Sequence, residues 1–149
     1  MGNRPIWLFD PGWQSAMDGP ASVSMAHLNS LFLSRPWQEL VPDQKHTVVT
    51  SGLGEFNGLD TVTAARTADG CTVIAYLPAG RTVCVDLSKV SGQKVRAWWY
   101  DPRAGSATTI GQFPTSGSRQ FTPPDKSDWV LILDDAARGL TAPGTVPIK

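Results

Sequence analysis

At 149 residues, with 17% charged residues, 14 Gly and 12 Pro, the chain is long enough for one domain with a proper core and too short for two full ones. Its 13 Lys plus Arg balance its 13 Asp plus Glu, so the formal net charge is zero and no basic stripe supports nucleic-acid binding. The Gly and Pro content favours turns and short strands, no apolar run reaches membrane-spanning length, and the first residues lack the zones of a signal peptide.

Residues 1–44 differ in character from the rest. Trp7, Leu8 and Phe9 are apolar, Asp10-Pro11-Gly12 reads as a turn, and a short segment at Trp13–Met17 precedes a Gly19-Pro20 break. The stretch Ala21–Arg35 has helical spacing, with Met25, Leu28, Leu31 and Phe32 on one face and Val23 and Leu33 widening it. Ser22 and Ser24 can cap its start and Pro36 ends it. Such a helix asks for a large partner; uncovered, its face predicts self-association through residues 21–35.

From His46 to Asp135 the chain reads as strands, at 46–50, 60–67, 71–77, 82–87, 94–100, 106–113, 118–122 and 128–134. Turn signals such as Asn57-Gly58, Asp69-Gly70 and Ser91-Gly92 separate them. Val83, Val85 and Leu87 share one face, as do Trp129, Leu131 and Leu133. The fold class expected is mainly β, an antiparallel β-sandwich preceded by a short α-helical segment, with residues 138–149 a flexible tail.

Two cysteines are too few for a disulfide scaffold. With a hairpin about Pro78–Arg81, Cys84 would lie opposite position 75 and about 13 Å from Cys71, too far for a bridge. His27 and His46 have no partners at metal-ligand spacing, so no zinc site and no cofactor is expected. No serine sits in a Gly-x-Ser-x-Gly elbow, and Gly52-x-Gly54 with Gly58 reads as a turn-rich loop. The acids are scattered, and the adjacent Asp134 and Asp135 would point apart on a strand, so no catalytic carboxylate pair is expected.

The aromatic strand KVRAWWYD is the richest segment. Val95, Ala97 and Trp99 form a natural core row; Arg96, Trp98 and Tyr100 share the other face. That second row suits docking against a larger module, burial, or a sugar-stacking platform. The Asp101-Pro102-Arg103-Ala104-Gly105 turn follows, with Arg103 placed to pair with Asp101 or with a carboxylate across an interface. Trp129 reads as a core anchor.

The segments RPWQELVPDQ at 35–44, AYLPAGRTVCVDLSKVSGQKVRAWWYDPRAG at 75–105 and FTPPDKSDWVLILDD at 121–135 resemble one family. It is the C-terminal domain described as the putative collagen-binding domain of a collagenase, found behind an apiosidase-like glycoside hydrolase barrel of the DUF4038 type. The resemblance implies that residues 1–44 are the helical C-terminal remnant of a (β/α)₈ barrel and 45–137 a β-sandwich accessory domain. It also implies that catalytic carboxylates lie upstream, so the chain is not an enzyme by itself. The domain would pack on and stabilise the barrel of a parent enzyme that is secreted or periplasmic. The alternative is a module that binds collagen or polysaccharide. Arg96, Trp98, Tyr100 and Arg103 are the candidate docking or ligand residues, and Trp7 is the residue placed to reach a sugar site in the parent. No membrane partner is expected.

Overall fold

The computed structural model describes residue 14 and residues 19–145. Trp7, the Asp10–Gly12 turn, residues 13–17 other than Gln14, and 146–149 lie outside the described residues. The described chain forms one α-helix, α1 (Pro20–Leu33), and nine strands: β1 (Leu40–Pro42), β2 (Val49–Ser51), β3 (Thr63–Thr67), β4 (Thr72–Leu77), β5 (Val83–Asp86), β6 (Lys94–Asp101), β7 (Ser106–Pro114), β8 (Ser118–Phe121) and β9 (Trp129–Asp135). They build a six-stranded sheet in the order β1-β3-β4-β9-β6-β7 and a three-stranded sheet β2-β5-β8, every pair antiparallel.

The expected sandwich is therefore present, and period-two alternation builds its core. Val73, Ala75 and Leu77 on β4, Val95, Ala97 and Trp99 on β6, and Leu131 and Leu133 on β9 face Val49, Val83, Val85 and Phe121 of the smaller sheet. Trp129 anchors this layer: it is 9% exposed, its ring meets Trp99 edge-on at 6.3 Å, and its indole N–H donates to Asp125 at 2.8 Å. Burying each Val or Leu fully contributes about 1.5–3 kcal/mol.

Several expectations need correction. The strand expected at 46–50 begins only at Val49, because the Asp43 carboxylate accepts the backbone N–H groups of Thr47, Val48 and Val49 and holds that segment in a turn. Leu40–Pro42, expected within the helical remnant, pairs with β3, so the sandwich begins upstream of residue 45. As an edge strand it tolerates Pro42. Pro78–Arg81 is no hairpin: β4 pairs with β3 and β9 while β5 pairs with β2 and β8, so the chain changes sheets there. Cys71 and Cys84 are free and sit in different layers, not on one hairpin. The N-cap of α1 is Gly19, without a side-chain cap; Ser24 donates instead to the Pro20 carbonyl. The described part of the expected flexible tail is bonded to the body: Thr141 O accepts from Arg35 and Gly144 N donates to Ser34 Oγ.

Candidate docking face

One side of α1 is fixed to the outer face of the six-stranded sheet. Leu31, at 2% exposure, packs with Ile74, Tyr100, Val130 and Ile132. The Tyr100 hydroxyl donates to the His27 carbonyl at 2.9 Å, and burial, with Asp101 beside it, pushes its pKa above the ordinary phenol value, so it stays a donor. His27 Nδ1 lies 3.1 Å from the Pro102 carbonyl. Gly105, at φ +65°, passes so close beneath the helix that a Cβ there would lie 2.5 Å from the His27 ring. Glycine is required by both the backbone angle and the space.

The strongest attachment is at the end of the helix. Arg35 Nε and Nη2 grip both oxygens of Asp134 at 3.0 and 2.7 Å, and the side chains are 0% and 3% exposed. Thr72 Oγ1 also donates to Asp134 at 2.9 Å, and Arg35 donates further to the Ser34 and Thr141 carbonyls. Burial raises the Asp134 pKa; Arg35, Thr72 and Trp98 oppose that by favouring the charge. A buried pair satisfied on all sides is costly to break from one side only.

The other side of α1 is uncovered by the described residues. Met25 is 56% exposed, Leu33 53%, Val23 and Trp37 45% and Leu28 41%. Met25, Leu28, Phe32, Leu33 and Trp37 line a shallow apolar groove with Asn29. Phe32 also lines a second hollow with Leu40, Pro42, Ile74 and Tyr76, so the apolar surface runs from the helix onto the sheet. The helical spacing read from sequence thus splits into two faces: Leu31 turns inward, while Met25 and Leu28 turn out.

The residues singled out on β6 do not stay together. Tyr100 is fully buried beneath the helix, Trp98 is half-buried with its indole nitrogen enclosed, and Arg96 lies over the Trp98 ring at 5.9 Å. Arg103 is apart from them at the turn. Its Nε meets Asp101 at 2.8 Å, its guanidinium lies 5.3 Å over the Trp129 ring, and Asp128 is 3.8 Å away. The hydrogen bond from Arg103 holds the Asp101 carboxyl below the usual range.

Every aspartate among the described residues is engaged in the fold. Asp60, Asp69, Asp101 and Asp134 pair with Arg81, Arg138, Arg103 and Arg35. Asp43, Asp86, Asp125 and Asp135 accept backbone N–H groups at turns, and Asp128 accepts from Tyr76. Asp134 and Asp135 do diverge: Asp134 meets Arg35, whereas Asp135 accepts from Ser91 Oγ at 2.9 Å. Arg35 is the anchoring residue to which sequence reasoning gave no role. Its signals were its place at the end of an apolar helix, which elsewhere is solvated, and at the start of the RPWQELVPDQ segment, which names no partner.

No curated protein matches the chain. Among solved structures, it resembles a glycoside hydrolase family 5 protein from Bacteroides vulgatus at 29% identity and a TM-score of 0.75, over 93% of this chain and 29% of that one. A second structure, described as a glycoside hydrolase, matches at 32% identity and a TM-score of 0.73, over 90% of this chain and 30% of that one. The chain thus spans less than a third of either. Residues 41–134 match a family model, and this chain belongs to that family, described as the putative collagen-binding domain of a collagenase.

Proposed function

We propose that this chain is a non-catalytic accessory domain of a glycoside hydrolase, packing on the catalytic barrel and stabilising it. The observation that carries the reading is the uncovered apolar face of α1, a helix held to the sandwich by its opposite side. An exposed apolar surface of that kind marks an interaction site. The two glycoside hydrolases supply a partner of the right sort, since about 70% of each lies beyond the region matched here. The engagement of every described aspartate in turns and ion pairs supports the non-catalytic part of the reading, and the two described glutamates lie on separate segments, Glu39 just before β1 and Glu55 in the loop after β2. A retaining or inverting glycosidase needs two carboxyls free to reach substrate, and Asp134, the acid whose pKa is raised, is enclosed with Arg35.

The test uses the polypeptide encoded by the whole reading frame that contains this chain. Met25→Asp with Leu28→Asp is expected to lower the temperature at which glycosidase activity is lost. The same change is expected to leave the unfolding midpoint of the 149-residue chain nearly unmoved. Equal effects in both would defeat the docking reading, and mutation-sensitive turnover by the pure 149-residue chain would defeat the non-catalytic one. The family's description favours a second reading, binding of collagen. A pull-down of the 149-residue chain on insoluble collagen, with pectin beside it, checks that reading directly; Arg96, Trp98 and Tyr100 would not serve as a flat platform, because Tyr100 is buried.

A further inference from the structure

The most exposed large apolar side chains of the described residues are on neither the helix nor the sheet. Leu59 is 101% exposed and Phe56 82%, both in the loop between β2 and β3. A mobile loop can carry such residues at little consequence, but this one is tightly built. Glu55 N donates to Asp60 Oδ1 at 3.1 Å, and Gly58 N to the Glu55 carbonyl at 2.8 Å. Thr61 Oγ1 donates to the carbonyls of both Glu55 and Gly58. Val62 N closes the base on the Leu53 carbonyl at 2.8 Å, and Arg81 clasps Asp60 from the neighbouring loop. Gly54, at φ +79°, and Asn57, at φ +59°, supply the left-handed positions that the tight path needs. The loop is braced by its own bonds at Glu55, Gly58, Asp60 and Thr61. A segment held in this way gives up less freedom on docking than an unbraced one.

Its place in the fold indicates what covers it. Strand register puts Thr63, Leu77, Trp129 and Tyr100 at one end of the six-stranded sheet. The loop at 53–62 enters β3 at that end. The helix runs between the two ends: Arg35 meets Asp134 at the far end, and His27 meets Pro102 in the turn after β6 at the near end. Seven residues further back, at 1.5 Å per residue, Pro20 lies about 10 Å beyond His27. The N-terminal half of the uncovered α1 face and the Phe56–Leu59 tip therefore flank the same end of the sandwich.

We infer that the loop 54–61 is a second docking element, inserting Phe56 and Leu59 into an apolar pocket on the same glycosidase module that covers α1. The inference rests on the accessory-domain reading. Two separated contacts at one end would fix the orientation of the sandwich on that module, which a single helix face does not. Two exposed apolar side chains on one loop suit an apolar protein surface; a glycan surface is met by flat aromatic faces, and Leu59 offers none.

The experiment places a photo-crosslinking phenylalanine analogue at position 56, and separately at position 28, in the polypeptide encoded by the whole reading frame. Crosslinks from both positions to the glycosidase segment of the same polypeptide are expected. A crosslink from 28 with none from 56 would overturn the loop inference and leave the accessory reading standing. The same holds if 56 joins a second copy or added polysaccharide. Failure at both positions, or a reading frame without a glycosidase segment, would overturn both. In parallel, Phe56→Ser with Leu59→Ser is expected to leave the unfolding midpoint of the 149-residue chain unchanged while lowering that of the glycosidase segment by several degrees. No change in the latter would count against the loop as well.

Discussion

The two faces of the six-stranded sheet are buried by different means. The inner face meets the three-stranded sheet through apolar side chains, Val, Ala, Leu and Trp against Val and Phe, a layer defined by alternation and filled by shape. The outer face is covered by one helix through a small apolar patch around Leu31 and Tyr100, and then by polar contacts: Tyr100 to His27, and Arg35 to Asp134. Area holds the first layer, and a few specific bonds hold the second. A single substitution should therefore injure the outer layer in proportion to the bond it removes, and the inner layer in proportion to the volume it empties.

The largest effect is expected at the outer layer. Arg35→Met strands the buried Asp134 carboxylate and should cost about 3–5 kcal/mol in urea unfolding. Arg35→Met with Asp134→Leu should recover most of that loss, because no charge then remains buried. If the double variant is as unstable as the single one, the polar account of the outer face is wrong. In the inner layer Leu131→Ala, at a fully buried position on β9, should cost about 2–5 kcal/mol, tracking the cavity left. A loss under 1 kcal/mol would mean that the sheets collapse over the gap, and the comparison would blur.

Gly105→Ala sharpens the contrast by injuring the outer layer without deleting any of its hydrogen-bonding groups. The left-handed backbone and the encroachment on His27 should cost about 1–2 kcal/mol, and amide exchange should quicken in α1 before the strands. Uniform quickening across both sheets would show that the helix is not a separable layer.

An effect of similar size to that at Gly105, and dependent on pH, concerns neither face. Asp43 is partly buried, which raises its pKa, but the N–H groups of Val49, Val48 and Thr47 outweigh burial and hold it below the usual value. With the folded pKa depressed, its stabilising contribution is present above the unfolded value, about 3.9, and is lost as the pH falls through the folded value. Asp43→Ala should thus cost about 1–2 kcal/mol at pH 7, and the gap to the parent protein should narrow as the pH falls below the ordinary carboxylate value. A gap independent of pH would assign Asp43 a role other than accepting those bonds as a carboxylate.

Much of the inner layer was legible because it obeys a local rule. Period-two alternation on 94–100 and 128–134 assigned Val95, Ala97, Trp99, Leu131 and Leu133 to the core, and they are there. The two-faced burial of β9 was visible only as an apolar run. The pairing of Leu40–Pro42 was not legible, since three residues ending in proline carry no periodic signal and fall within the segment 1–44 that the resemblance gave to the barrel remnant. Nor was the sheet change at Pro78–Arg81, because a hairpin and a crossover between layers use the same turn residues. On the candidate site, the helical spacing correctly marked an apolar helix, but spacing does not say which flank meets the sandwich. The exposure of Phe56 and Leu59 was equally hidden, for a turn-rich loop reads the same whether its apolar residues fold inward or out.

By itself, then, the amino-acid sequence determined the strand periodicity, the helix, the Asp101–Gly105 turn and the family resemblance, all of which depend on residues close along the chain. Tertiary structure decided the rest: which strands share a sheet, which flank of α1 is fixed, and that Arg35 reaches Asp134 across 99 residues of sequence. The reason is physical. Local preferences are set by backbone sterics and side-chain period within a few residues, whereas a buried charge pair or an uncovered apolar flank exists only once distant segments have excluded water together.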